Sequence, residues 1–367
     1  MFESIEIQNF RSIKKLKIED LKQFNLIIGD TNVGKTTILE SFFIATSPGN
    51  LGLLFTMNNV RGIDFYDDFF KSFFHFNNTN ENIRIKATVK SKEERERVLN
   101  ISPFIREIFR VEDSDLSNGI SALSNLGKID GLRDVFQTVD KSQNIETYNY
   151  LFKLDEKTEP IVGESGKYIR RLIREIEDDK KYLLPFNSRY EHTKSLVNSL
   201  KSKYDLLVEN LKKKDFVETI SRLDPNIKDV NQTQSGIMIE YKGFRQSNPI
   251  GILGNGVIKM ICVIGAIMAT KGGVILIDEI ENGIHYSLLK SFWESILKIA
   301  NEESVQIIAT THSFDCINAF YNSFSSEAKQ EQLRVFRIEK SEENEHETIK
   351  YDANALKVAL EQDWEVR

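Results

Sequence analysis

Residues Gly29-Asp30-Thr31-Asn32-Val33-Gly34-Lys35-Thr36 set two glycines, a lysine and a hydroxyl residue at the spacing of a phosphate-binding loop, the strongest constraint on the fold. Glycines let backbone N–H groups curl around an anion with no Cβ in the way, and the positive end of a following helix faces the same anion. Lys35 brings the charge that neutralises β- and γ-phosphates, and the Thr36 hydroxyl suits a magnesium ion. Such a loop needs a strand before it and a helix after it. Phe24-Asn25-Leu26-Ile27-Ile28 is an apolar run of buried-strand length, and Thr36 to Phe43 reads as a helix that also carries Thr37.

A second set of candidates lies more than 200 residues downstream. Val274-Ile275-Leu276-Ile277 reads as a buried strand that delivers Asp278 and Glu279 at its carboxyl end. Asp278 suits a magnesium shell, and Glu279 is placed to polarise an attacking water. The next apolar run, Val305 to Ala309, leads to Thr310-Thr311-His312-Ser313. His312 there either contacts the γ-phosphate or plays a structural part. Leu253-Gly254-Asn255-Gly256-Val257 reads as a glycine turn that starts the helix Val257 to Met268.

The rest of the chain bounds the class. Of its 367 residues 40% are hydrophobic and 28% charged, a globular composition, and the longest apolar stretch, Met260 to Ala269, is about half a membrane span. The amino terminus has no basic region before an apolar run, so no signal peptide is expected. Cys262 and Cys316 read as small buried residues of a reducing, cytoplasmic protein. A net charge of −6 argues against nucleic acid binding by the whole surface but leaves a local basic patch open. Ile5–Ile7, Leu16–Ile18 and Ile83–Val89 read as strands. From Ser91 to Asp178 the pattern loosens into charged helical pieces such as Lys92 to Val98. Leu196, Leu200, Tyr204, Leu207 and Leu211 form one helix face, which serves either the protein's own core or a partner. Arg170-Arg171 and Lys212-Lys213-Lys214 are solvated charge or a contact for DNA.

Asn9-Phe10-Arg11-Ser12, the phosphate loop, Gly254 to Gly256, Asp278 to His285 and Thr311-His312-Ser313, in that order, resemble the RecF/SMC-like branch of ABC ATPases. The set is most similar to the stand-alone AAA-type ATPases of the overcoming-lysogenization-defect group, often found in anti-phage defence. The resemblance covers roughly residues 1 to 90 and 235 to 367. It implies an α/β fold, namely an ABC-type P-loop head with an antiparallel β lobe; residues 91–234, outside the resemblance, read as a mainly helical insertion. It further implies ATP and Mg2+ as ligands and Arg11 at the nucleotide. Two heads would sandwich ATP, with Glu281 to His285 near their seam and Gly254, Asn255 and Gly256 reaching the partner's γ-phosphate. Lys35, Glu279 and His312 would carry the chemistry, and Thr36 and Asp278 the metal. The chain departs from the pattern twice. Gly254 stands where the signature serine is expected, leaving Asn255 as a substitute. No glutamine occurs between Thr37 and Phe136, leaving His75 as a weak surrogate for the glutamine that couples magnesium to the inserted domain.

The leading expectation is a cytoplasmic ATP hydrolase, acting as a homodimer or larger homo-oligomer, that controls a separate nuclease or toxin in anti-phage defence. No nuclease chemistry is expected in the chain itself, since only 89 residues follow Asp278. A scaffold locked by ATP without turnover, and a DNA-repair head of RecF type, remain alternatives. A small-molecule kinase or GTPase is disfavoured by the long gap between Lys35 and Asp278 and by the lack of an Asn-Lys-x-Asp motif.

Overall fold

The computed structural model describes residues 1–46, 54, 57–58, 61–63, 71–90, 95–104, 127–128, 135–142, 145–153, 182–183, 192–270, 272–341 and 345–362. Strands β1 (Phe2–Phe10), β2 (Ile13–Glu19) and β3 (Phe24–Ile28) open the chain, and helix α1 (Lys35–Thr46) follows the loop after β3. β4 (Ile83–Val89), β5 (Arg95–Phe104), β6 (Gly127–Lys128), β7 (Val135–Ser142), β8 (Ile145–Lys153) and β9 (Tyr182–Leu183) come next. Helices α2 (His192–Glu209) and α3 (Lys213–Leu223) lead to β10 (Ile227–Thr233), β11 (Gly236–Tyr241) and β12 (Asn248–Pro249). The remainder runs α4 (Asn255–Ala269), β13 (Val274–Ile277), α5 (Tyr286–Glu303), β14 (Gln306–Thr310), α6 (Phe314–Asn322), β15 (Leu333–Lys340), β16 (His346–Tyr351) and α7 (Ala353–Glu361), with a short turn of helix at Glu327–Gln330.

The frame is a six-stranded sheet in the order β16-β15-β3-β14-β13-β9, parallel except for the β15–β16 hairpin. Every residue of β3, β13 and β14 is buried, as expected for strands covered on both faces. Side-chain alternation divides the two faces. Leu26, Ile275, Ile277 and Ile307 face a core with α2 to α6, while Ile27, Leu276 and Ile308 face a second core with α1 and the antiparallel lobe. That lobe is a seven-stranded sheet, β2-β1-β4-β5-β8-β7-β6, whose pairs are antiparallel except β5 with β8. Sandwiched between the two sheets, α1 is buried from Thr37 to Thr46.

The α/β architecture and the strands read from the sequence are all present. Two expectations are corrected. The described part of 91–234 is not mainly helical: β5 to β8 extend the antiparallel lobe and β9 joins the parallel sheet, with α2 and α3 the helices described there. Lys92 to Val98 contributes to no helix among the described residues, because Arg95 onward forms β5 against β4. Its register sets Val98 and Leu99 against Lys86 and Ile85, so pairing with a formed sheet edge overrides the helical charge pattern. The apolar face of α2 serves the core. Leu200, Tyr204 and Leu207 are buried in the cluster that holds α4, whereas Leu211, beyond the helix end, is 88% exposed; Leu196 and the pair Arg170-Arg171 lie outside the described side chains. Lys212 and Lys213 are engaged locally, with Glu303 at 2.5 Å and Asp229 at 3.1 Å. Cys262 and Cys316 are free and buried, and burial pushes the Cys316 thiol up to about 12. Among the described residues no helix is long and apolar enough to cross a membrane.

Candidate functional site

An open cavity of about 630 Å³ collects the loop after β3, the carboxyl ends of β13 and β14, the turn after β1, and the segment 72–77. That volume lies within the roughly 300–1,000 Å³ of small-molecule sites. The loop's curl requires left-handed or wider backbone angles at Gly29 (φ 141°), Asn32 (φ 65°) and Gly34 (φ 99°). At Gly34 a side chain would also meet Ser12 Oγ at 2.9 Å. Lys35 Nζ donates to the carbonyls of Gly29 at 2.7 Å and Asp30 at 2.9 Å, so the ammonium is folded back over its own loop. Burial lowers its pKa while Asp278 and Glu279 oppose the change.

Thr36 Oγ1 donates to Asp278 Oδ2 at 2.7 Å, joining groups 242 residues apart in sequence. Thr310 Oγ1 donates to Asp278 Oδ1 at 2.5 Å and accepts from the Glu279 N–H at 2.8 Å. Burial raises the Asp278 pKa, and the two hydroxyl bonds hold it down. Glu279 has a left-handed backbone (φ 47°), uncommon for a non-glycine residue and typical of a turn fixed by its surroundings. Its carbonyl accepts from the buried Lys259 of α4, and Asn282 Nδ2 lies 3.4 Å from its Oε2. Burial lowers the Lys259 pKa to about 8, against the attraction of Glu281, Glu279 and Asp278. His312 lines the cavity with its Nδ1 3.2 Å from Glu281 Oε1, which also accepts the His312 backbone N–H at 3.1 Å.

The Asn9 to Ser12 turn acts as a brace. Asn9 accepts from the His75 N–H at 3.2 Å and donates to the Glu81 carbonyl at 2.5 Å. Ser12 Oγ lies 3.0 Å from Thr37 Oγ1. Arg11 lines the cavity but is only 9% exposed. Its Nε is 3.0 Å from Glu40 Oε2, within ion-pair range though not aligned as a hydrogen bond, and its Nη2 donates to Asn58 Oδ1 at 2.8 Å. Burial lowers its pKa to about 10, and Glu40 resists. Arg61 reaches the same Glu40 through Nε at 2.6 Å and Nη2 at 3.0 Å. His75 is buried, with Nδ1 2.9 Å from the Arg11 carbonyl, and does not line the cavity.

Of the sequence candidates, Arg11, Thr31, Asn32, Gly34, Lys35, Thr36, Thr37, Asp278, Glu279 and His312 line this one cavity. Gly29, Asp30 and Val33 shape the loop behind it. Gly254, Asn255 and Gly256 lie outside it, at the start of α4, where Gly256 is pressed against the Gly283 backbone. Sequence reasoning missed Thr310, Lys259, Glu40 and Arg61. Only Thr310, inside a motif already singled out, carried a signal.

A mixed parallel sheet with a phosphate loop after one central strand, paired carboxylates after another, and an antiparallel lobe over α1 defines an ABC-like P-loop ATPase head of the SMC/RecF kind. The family described as "AAA domain, putative AbiEii toxin, Type IV TA system" matches residues 24–315, and the chain belongs to it. An ATP/GTP phosphatase of Helicobacter pylori is 22% identical over 356 residues, which cover 94% of each protein. The chromosome partition protein Smc of Methanocaldococcus jannaschii is 23% identical over 286 residues, 65% of this chain and 24% of that protein. Among solved structures, an SMC head bound to the C-terminal winged-helix domain of ScpA superposes with a TM-score of 0.52 at 13% identity, covering 96% of this chain and 98% of that one. At that identity the likeness speaks to the fold.

Proposed function

We propose that this chain binds ATP and hydrolyses it, and that nucleotide draws two heads together to control a separate effector protein, a nuclease or toxin, in anti-phage defence. The observation that carries the proposal is the 2.7 Å contact of Thr36 with Asp278, which joins the two halves of a nucleotide site. The residues present fit magnesium, which takes one or two protein oxygens and fills its remaining positions with phosphate oxygens and water. Thr36 and Asp278 would hold it, and when bound it neutralises charge on the phosphates. Lys35 leaves the carbonyls of its own loop to bind phosphate oxygens. The Glu279 carboxylate takes the proton of the attacking water, its main chain fixed by Thr310 and Lys259. Glu281 orients the His312 ring toward the same cavity.

Arg11, held by Glu40 and Asn58, is assigned a role in shaping the nucleotide wall. The two-headed arrangement draws support from the Gly254 to Gly256 loop, which stands apart from the cavity of its own chain. The phosphatase relative supports hydrolysis, the family description supports a place in a toxin system, and the SMC head with its bound ScpA domain supports a protein partner. We draw the head as including β5 to β8 in its antiparallel lobe, β9 in its parallel sheet, and α2 and α3, rather than ending at 90 and resuming at 235, because these strands belong to its two sheets and the helices share one core with α4.

Equilibrium binding of ATP and phosphate release by the wild type and Lys35→Ala test the site. Binding and release that both collapse in the variant support it, and unchanged binding rejects it. Sedimentation with ADP and with ATP tests assembly: a mass increase specific to ATP is expected, and equal masses reject nucleotide-driven pairing.

A further inference from the structure

Among the residues lining the cavity, Phe76 takes no part in binding phosphate or metal. Phe76 is a large apolar side chain, 70% exposed, while its neighbours Phe73 and Phe74 are fully buried. The segment therefore meets its need for core contacts without it. Its backbone is left-handed (φ 48°, ψ 34°), a conformation that costs a residue with a Cβ about 1–2 kcal/mol. Asn77 follows in the same region (φ 58°). Such conformations persist where the surroundings impose them, and here they do. Asn9 holds the His75 N–H and the Glu81 carbonyl, His75 Nδ1 meets the Arg11 carbonyl, and the Arg11 N–H donates to the Phe73 carbonyl at 2.8 Å. Phe10 stacks on Phe73 beneath, with ring centroids 6.4 Å apart and planes within 7°. The strained loop is thus lashed to the turn that also braces the phosphate loop through Ser12, and it holds an aromatic ring in solvent beside that loop. Lys340 Nζ lies over the Phe76 ring, 5.8 Å from its centroid, and the His75 ring meets it with centroids 4.3 Å apart and planes tilted by 49°.

We infer that Phe76 is the platform for the nucleobase. This rests on the phosphate-binding reading above and deepens it by naming what recognises the other end of the ligand. A nucleoside triphosphate has one flat apolar part, and a ring pinned at the rim of a phosphate-binding cavity fits it. Stacking uses the π-face that every base presents and does not read its hydrogen-bonding edge. The site is therefore tolerant between adenine and guanine, and takes purines ahead of the smaller pyrimidines because more area is covered. The Asn9 to Ser12 turn then serves both ends of the ligand, through Ser12 at the phosphate loop and through Asn9 at the base wall.

The test compares Mg2+-dependent affinities of ATP, GTP, CTP and inorganic tripolyphosphate for the full-length wild type, Phe76→Ala, Phe76→Trp and Lys35→Ala. Stacking on an aromatic is worth about 1–3 kcal/mol, so Phe76→Ala should weaken ATP and GTP alike by about 5- to 150-fold. Tripolyphosphate should bind that variant as it binds the wild type, and Phe76→Trp should keep or improve purine affinity. Unchanged ATP affinity in Phe76→Ala overturns the inference. An equal loss of tripolyphosphate also overturns it, because the ring would then only support the phosphate loop. A wild type that separates ATP from GTP by more than about tenfold overturns the base tolerance. If wild type and Lys35→Ala bind tripolyphosphate equally, the phosphate-loop reading itself fails, an outcome distinct from any effect of Phe76.

Discussion

Replacing Thr310 by valine keeps the side chain's shape and removes one hydroxyl that does two jobs. That hydroxyl donates to the Asp278 carboxylate at 2.5 Å and accepts from the Glu279 N–H at 2.8 Å, in a fully buried position. A hydrogen bond to a charged group contributes about 1.5–3 kcal/mol, and a buried N–H left unpaired costs about 1–3 kcal/mol. Both losses arise from one atom and partly overlap, so Thr310→Val should lose about 2–4 kcal/mol in urea denaturation. Thr310→Ser retains the hydroxyl and sheds one methyl, for about 1 kcal/mol. The functional loss should exceed the loss of stability. Without the anchor on its N–H, Glu279 relaxes from its left-handed backbone, and displacement of a reacting group by about 1 Å can cost about 10²-fold in turnover. Phosphate release by folded Thr310→Val should fall accordingly while Thr310→Ser stays near the wild type. Should serine prove more damaging than valine in both assays, the methyl and not the hydroxyl would be what matters.

Gly256→Ala would set a Cβ 1.9 Å from the Gly283 carbonyl oxygen and 2.7 Å from its carbon, both backbone atoms that must move. A loss of about 1–3 kcal/mol is expected, with faster amide exchange in 281–285; wild-type exchange there would contradict the contact. Lys259 carries a pKa lowered from 10.5 to about 8, so between those values the unfolded chain holds a proton that the folded chain has released. Wild-type stability relative to Lys259→Met should therefore rise as pH climbs from 7 to 10, by up to about 3 kcal/mol; a flat difference would contradict the burial of a charged ammonium. Reversing charge at Lys212 or Lys213 should cost about 1 kcal/mol each by breaking pairs with Glu303 and Asp229, whereas the exposed Lys214 should tolerate it. Equal effects at all three positions would contradict local pairing.

The parallel frame was legible because its strands are continuous apolar runs, and the site because phosphate binding needs glycine, lysine and hydroxyl residues at fixed spacing. Asp278 and Glu279 could be read from the end of a buried strand. Thr310 lay inside a legible motif, but its part was not legible, since it depends on β14 lying beside β13, a pairing set by sheet order and not by local pattern. Glu40 looked like one more helical carboxylate until α1 was sandwiched between two sheets and brought it to Arg11 and Arg61. For Lys92 to Val98, charge and helix periodicity pointed one way and the neighbouring edge of β4 the other. The face of α2 was read correctly as apolar, but only packing could assign it to the core, and Leu211 fell off it because its backbone turns left-handed (φ 58°) past the helix end.

Phosphate release from ATP by Glu279→Gln, followed alongside ATP binding by the same protein, tests hydrolysis at this site most directly. The amide preserves shape but cannot accept the proton of the attacking water, so binding should stay within a few-fold of the wild type while turnover falls by about 10²–10⁴. Wild-type turnover with intact binding would remove Glu279 from the chemistry and leave a nucleotide-locked scaffold in its place.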